Sequence, residues 1–311
     1  VGHLGWVESL VVGGLQGVAE LFPVSSLGHS VLLPALVGGS WARDLSVSAP
    51  ESPYLAFIVG LHVATAAALV VFFWRDWLRL GRGFLTSVAR REVADPDQRL
   101  AWLLILATIP VGLAGLVLEH LFRTTLSRPV PAAAFLALNG AVLLAVERLP
   151  GRRSGGRSPG DRGGAGEEPV YVDERVSGAE SDRRLARLPV GRAVLIGTAQ
   201  VAALAPGVSR SGVTMAAGLV RGLSHEDAAR FAFLLSTPVI AAAGVLKLGD
   251  LAGPLGDGIR GQVLAASVLS GLGAYASVRF LTRYFATRSL RPFGIYCLLA
   301  GAACLAWFAL R

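Results

Sequence analysis

Two apolar stretches of this chain hold residue types that phosphoryl chemistry uses. In the first, Glu20, Ser25, Ser26 and His29 place a carboxylate, two hydroxyls and an imidazole within ten residues. Such a set can supply a nucleophile and a proton carrier. In the second, Arg210 stands between Ser209 and Ser211, with Thr214 one turn on and Gly207 and Gly212 flanking. An arginine near the middle of a bilayer costs about 2.5 to 3.5 kcal/mol even on a lenient scale, so something anionic should offset it. A guanidinium, three hydroxyls and the amides of a helix starting near Gly212 make a phosphate site from sequence-local parts. The competing reading is a structural ion pair between Arg210 and Glu20.

The elements that must position these groups are related to each other. Gly13, Gln16, Ala19, Val24, Ser25 and Gly28 recur without a gap as Gly197, Gln200, Ala203, Val208, Ser209 and Gly212. Six identities in sixteen positions argue for a duplicated unit whose halves have diverged in chemistry. Each copy is apolar but broken near its middle by Pro, Gly and Ser. Backbone that leaves the helix at membrane depth is tolerated only where protein or water covers it, so each copy is expected to be a re-entrant helix, turn and helix, over 4–39 and 193–220. Broken helices at the midplane commonly hold a polar ligand.

Composition places the chain in a membrane: 53% of its 311 residues are apolar and 16% charged, with 38 glycines. A crossing takes roughly 17 to 25 helical residues, and six runs meet or approach that length: 53–74, 100–118, 130–146, 228–247, 262–278 and 292–310. The expected fold class is an all-α polytopic membrane protein. Six transmembrane helices plus two re-entrant helix-turn-helix units form an inverted-topology repeat, 1–146 and 190–311, because three spans separate the broken units. Arginine agrees, with six in Arg75–Arg99, ten in Glu147–Arg192 and three in Thr282–Arg291, against two in Glu119–Pro129 and one in Leu248–Gly261. Basic loops stay cytoplasmic, so both termini are placed outside. The net charge of +8 then reflects loop bias and anionic membrane lipids, not nucleic acid. No basic n-region or cleavage site of a signal peptide is evident.

Residues 147–189, rich in Gly, Arg, Ser and acidic groups, read as a flexible cytoplasmic linker. Arg75–Arg99 is expected to include an amphipathic helix lying in the interface. Cys297 and Cys304 share one helix face and read as packing residues. His62, alone in a clean span, reads the same way, while Gln16 and Gln200 read as interhelical hydrogen-bond glue. No spacing typical of a dedicated metal cage is present.

The stretches GLQGVAELFPVSSLGHSVLL and QVAALAPGVSRSGVTMAAGLVRGLSHEDAARFAFLLSTPV resemble the two motifs of the undecaprenyl-diphosphatase family, also called bacitracin resistance proteins. The E-x2-P-x-S-S-x-G-H pattern, the P-G-x-S-R-S-G-x-T turn and Phe231–Pro238 carry the resemblance, and the apolar layout extends it over nearly the whole chain outside the linker. The resemblance implies a multi-pass enzyme of the bacterial inner membrane with its site open to the outer face. Its substrate would be undecaprenyl (C55) diphosphate, cleaved to the monophosphate so that the carrier returns to peptidoglycan synthesis. By the same resemblance Glu20, Ser26, His29, Ser209, Arg210, Ser211 and Thr214 fall on functional positions, and a divalent cation, Mg²⁺ or Ca²⁺, is expected at Glu20. Gln16 departs from the pattern, since many members carry a second glutamate there. A homodimer is compatible with this reading.

Hydrolysing a diphosphate demands charge neutralisation and an in-line nucleophile. Arg210 is expected to clamp the phosphates with Ser25, Ser209, Ser211 and Thr214, Ser26 to attack, and Glu20 to act as base. His29 protonates or attacks, and the order between Ser26 and His29 stays open. A secondary transporter or polyprenyl-phosphate flippase also fits an inverted repeat with a midplane charge. Lipid phosphatases with P-S-G-H and S-R-x5-H motifs do not fit, because Ala216 stands where their second histidine would be.

Overall fold

The structure is a computed structural model that describes residues 4–45, 53–149, 174–252 and 258–310. Each apolar run becomes helix, because only a helix satisfies its own backbone polar groups in hydrocarbon. The first broken unit is α1 (Trp6–Ala19), a turn, and α2 (Ser26–Val37), followed by the short α3 (Gly39–Asp44). The runs expected to span in the first half form α4 (Pro53–Phe72), α6 (Pro96–Leu126) and α7 (Pro129–Glu147). The second broken unit is α9 (Val190–Thr198), a 3-10 turn over Ala199–Leu204, a loop, and α10 (Arg210–Val220), and the runs expected to span after it form α11 (His225–Ala252), α12 (Arg260–Thr287) and α13 (Arg291–Ala309).

Among the described residues four stretches are long and apolar enough by themselves to cross a membrane: Pro96–Leu118, Pro129–Glu147, Arg260–Thr287 and Arg291–Ala309. Their outward faces carry exposed Leu113, Leu116, Val117, Leu264, Leu272 and Leu299, as lipid-facing helices should. The run expected over 53–74 is divided at Phe73, where Gly60–Phe72 turns by 83° into α5 (Trp74–Arg90). Helix α5 exposes Trp74, Leu78, Leu85 and Val88 and packs Leu80, Gly83 and Ser87 inward. That is the pattern of a helix lying in the interface.

Packing interlocks the two halves. Helix α1 lies on α12 and α9 lies on α6, so the first helix of each broken unit rests on the second span of the other half. Repeat-equivalent glycines permit both approaches: a Cβ at Gly13 would meet the Ala266 carbonyl at 2.7 Å, and one at Gly197 would collide with the Ala107 carbonyl. Close backbone approach through small residues replaces the hydrophobic drive that lipid removes. Helices α7 and α13, the last span of each half, pack against each other, as do α4 and α11.

Part of the segment expected to be a flexible linker is ordered structure. Glu174–Ala186 forms α8, which packs on α6 and α11. Its hold is polar: Asp182, 1% exposed, accepts from Arg79 on α5 and from Arg230 on α11 at 2.6 and 2.8 Å, while Ser181 donates to Asp227 at 2.5 Å. Leu185 and Leu188 are buried beside it. No apolar periodicity announces such a helix, because its charges are satisfied by partners on other elements. Residues 150–173 of the expected linker lie outside the described residues.

Candidate active site

The turns of the two broken units meet, and each feeds a helix N-terminus. Ser25 caps α2 by accepting from Gly28 N at 3.2 Å, and its repeat equivalent Ser209 caps α10 by accepting from Gly212 N at 3.1 Å. Ser25 Oγ also accepts from Gly207 N at 3.2 Å, tying one turn to the other. Contact is so close that a Cβ on Gly28 would lie 2.7 Å from Gly207 Cα. Gly207 has φ +103°, a conformation that favours glycine, and Ser25 holds φ +69° without being glycine. Two helix N-termini therefore bring their partial positive charge to one place, which suits a phosphate.

Glu20 ends α1 directly beside them and is 7% exposed. Its Oε1 accepts from Arg210 Nη2, and its Oε2 accepts from Ser26 Oγ and from Gln16 Nε2, the last at 2.9 Å. Ser26 and Arg210 are repeat-equivalent, each one residue past its capping serine, and both reach the same carboxylate. The expected ion pair and the expected catalytic cluster are thus one arrangement. A buried guanidinium and carboxylate balance each other while no other anion is present.

The hydroxyls of the second turn face the first. Ser211 Oγ donates to Phe22 O at 3.2 Å and lies 3.1 Å from Ser209 Oγ. Asn139 on α7 joins both turns, accepting from Ser209 N at 3.1 Å and donating to Pro23 O at 3.2 Å. Thr214 donates to Arg210 O at 2.7 Å, inside its own helix. His29 is not bonded to Ser26 or Glu20: its Nδ1 meets Ser25 O at 2.6 Å, and its Nε2 meets Tyr296 Oη at 2.7 Å. Since a carbonyl only accepts, Nδ1 carries a proton, and in the neutral ring Tyr296 donates to Nε2. Gln200 donates to Gly197 O at 3.3 Å in its own turn and so does not act as interhelical glue through that bond.

Three further residues belong to this constellation: Asn139, Tyr296 and His62, whose Nε2 lies 3.4 Å from both Glu20 Oε2 and Gln16 Nε2. A polar group inside an apolar run is the signal they share. His62 shows that signal too, and the structure places its ring beside Glu20 and Gln16.

A family model described as bacitracin resistance protein BacA matches residues 9–303. The chain belongs to the bacitracin resistance protein family. It is 64% identical over 311 residues, 99% of each chain, to the undecaprenyl-diphosphatase of Mycolicibacterium paratuberculosis, and 64% identical to that of Mycobacterium avium, again over 99% of each. It is 52% identical to undecaprenyl-diphosphatase 1 of Frankia casuarinae, covering 98% of each chain. Both turns and every residue of the cluster lie within the matched part of the bacitracin resistance family.

Proposed function

We infer that this chain is an undecaprenyl-diphosphatase, an enzyme that hydrolyses undecaprenyl diphosphate to the monophosphate and inorganic phosphate and thereby confers bacitracin resistance. One observation supports the site assignment above all: Glu20 receives Ser26 on one oxygen and Arg210 on the other, where two helix N-termini converge.

An entering diphosphate competes with Glu20 for Arg210, since a guanidinium fork suits phosphate oxygens as well as a carboxylate. Transfer of Arg210 to the phosphates leaves Glu20 free to take the Ser26 proton. Ser26 Oγ attacks the terminal phosphorus, a serine–phosphate bond forms, and the anhydride bond breaks with its electron pair leaving on the lipid monophosphate. Water then attacks the phosphoserine, Glu20 returns the proton to Ser26 Oγ, and the proton of the water departs with inorganic phosphate. Ser209, Ser211 and the two helix N-termini neutralise charge on the transferred group. Ser26 is favoured over His29 as nucleophile because its hydroxyl alone touches the carboxylate, and His29 holds the strained Ser25 turn instead.

The residues present do not by themselves make a cage for a hard cation. Glu20 is the one carboxylate of the cluster, with both oxygens engaged, and among the described residues no group of three His, Cys, Asp or Glu could hold a metal. A Mg²⁺ or Ca²⁺ ion would have Glu20 as its one carboxylate here and would supply charge neutralisation on the phosphates, and the steps above use the protein's own side chains. The location proposed is the bacterial cell membrane, with basic loops inside and both termini outside.

The test is phosphate release from undecaprenyl diphosphate by purified protein in detergent, with no ion gradient, in Mg²⁺, Ca²⁺ or chelator. Release that disappears in Arg210→Ala is expected. Folded protein that binds the lipid and releases no phosphate under any condition would favour the carrier reading.

A further inference from the structure

Position 16 of this chain is an amide buried beside Glu20, and the structure shows what the amide does. His62 lies on α4, away from both turns in sequence. Its Nδ1 meets Ile58 O at 2.8 Å in the same helix. The carbonyl can only accept, so Nδ1 carries a proton, and in the neutral imidazole Nε2 then presents a lone pair. That lone pair faces Glu20 Oε2, an acceptor, at 3.4 Å. Two acceptors so placed repel unless a donor lies between them. Gln16 Nε2 is that donor, 2.9 Å from Glu20 Oε2 and 3.4 Å from His62 Nε2, with two hydrogens to give. Its carbonyl oxygen is left buried with no partner among the described residues, the cost of turning the amide group toward the pair.

We propose that His62 is a positioning residue for Glu20, acting through the Gln16 amide, so that Gln16 and His62 together orient the base. The Nε2 lone pair fixes which way the Gln16 amide points, and the amide fixes the Glu20 oxygen that receives Ser26. Without His62 the amide turns over freely, and its carbonyl then opposes Glu20 Oε2. A glutamate at 16 would offer only acceptors to the same two neighbours. Binding of the diphosphate rests on Arg210 and the hydroxyls, none of which touches His62, so the loss belongs to the chemical step.

This inference rests on the diphosphatase reading, and its test separates the two. In detergent, His62→Leu should lower kcat by about 10- to 100-fold, the range that misplacing a catalytic group costs, with KM changed by less than about threefold. His62→Gln, whose side-chain carbonyl can accept from Gln16, should recover most of the rate. Gln16→Leu should lose a similar factor, and adding His62→Leu to it should change kcat by less than about twofold, because residues acting as one unit are not additive. If His62→Leu does not fold, His62→Asn, which keeps the polarity but is too short to reach Gln16, takes its place. Unchanged kcat in the His62 variants, or two independent losses that multiply, would overturn the proposal. Nuclear magnetic resonance of isotope-labelled histidine reads the contact without activity: His62 should hold the Nδ1–H tautomer, and its Nε2 signal should move on Gln16→Leu. An inactive wild type would sink the diphosphatase reading alone, and an unmoved Nε2 signal this one.

Discussion

Glu20 is the residue on which the site turns, because one carboxylate serves Arg210, Ser26 and Gln16 at once. Arg210→Ala should reduce kcat/KM by about 10² to 10³-fold, the usual loss on removing a charge that stabilises the transition state. Arg210→Lys should recover little of it, since an ammonium keeps the charge and lacks the planar fork. Steady-state phosphate release measures both, and a fully active lysine variant would mean that charge alone suffices. Ser26→Ala should lower kcat by about 10³-fold or more if the hydroxyl is the nucleophile. Near-normal turnover in Ser26→Ala with an inactive His29→Ala would transfer that role to the imidazole.

At the scale of elements, the site exists because two helix starts can touch. Gly28 and Gly207 set that distance, and an added methyl at Gly28 would meet backbone atoms that cannot swing aside. Gly28→Ala should therefore cost about 1 to 3 kcal/mol, as overpacking does, and depress the thermal midpoint in detergent together with activity. Gly112→Ala is the matched control: a Cβ there meets nothing within 4 Å, and alanine favours helix by up to about 1 kcal/mol. Equal behaviour of the two variants would show that the contact between the turns is not what holds the site. The broken units were legible as a repeat, since Ser25 and Ser209 repeat both their place and their capping bond. That their turns would meet was not legible, because the Gly207 amide bonds a serine 182 residues earlier.

For the whole molecule, ion pairs tie α8 to α5 and α11. Asp182, with a side chain 2% exposed, serves Arg79 and Arg230, and Arg184 pairs with Asp227 at 2.7 Å. Hydrogen bonds that Arg184 donates to Asp227, ahead of the cost of burial, hold its guanidinium above its ordinary pKa. Breaking a buried pair by removing one partner typically costs about 3 to 5 kcal/mol. Asp182→Ala should thus lower the thermal midpoint and release α8, so that trypsin cuts at Arg183, Arg184 or Arg187 sooner than in the wild type. An unchanged digestion rate would mean that Leu185 and Leu188 hold the helix without the ion pairs.

Local pattern was sufficient for what depends on local physics. Apolar run length marked the helices, four of which hold stretches long and apolar enough to cross a membrane, punctuation by Pro, Gly and Ser marked the broken units, and charge inside apolar sequence marked Glu20 and Arg210. Family membership followed from those same short motifs. The partnerships lay beyond it: His62 with Gln16, His29 with Tyr296, Asn139 with both turns, and α8 with α5 and α11. Each joins residues far apart along the chain, and each satisfies a polar group whose partner is set by how helices pack, which no single stretch of sequence encodes.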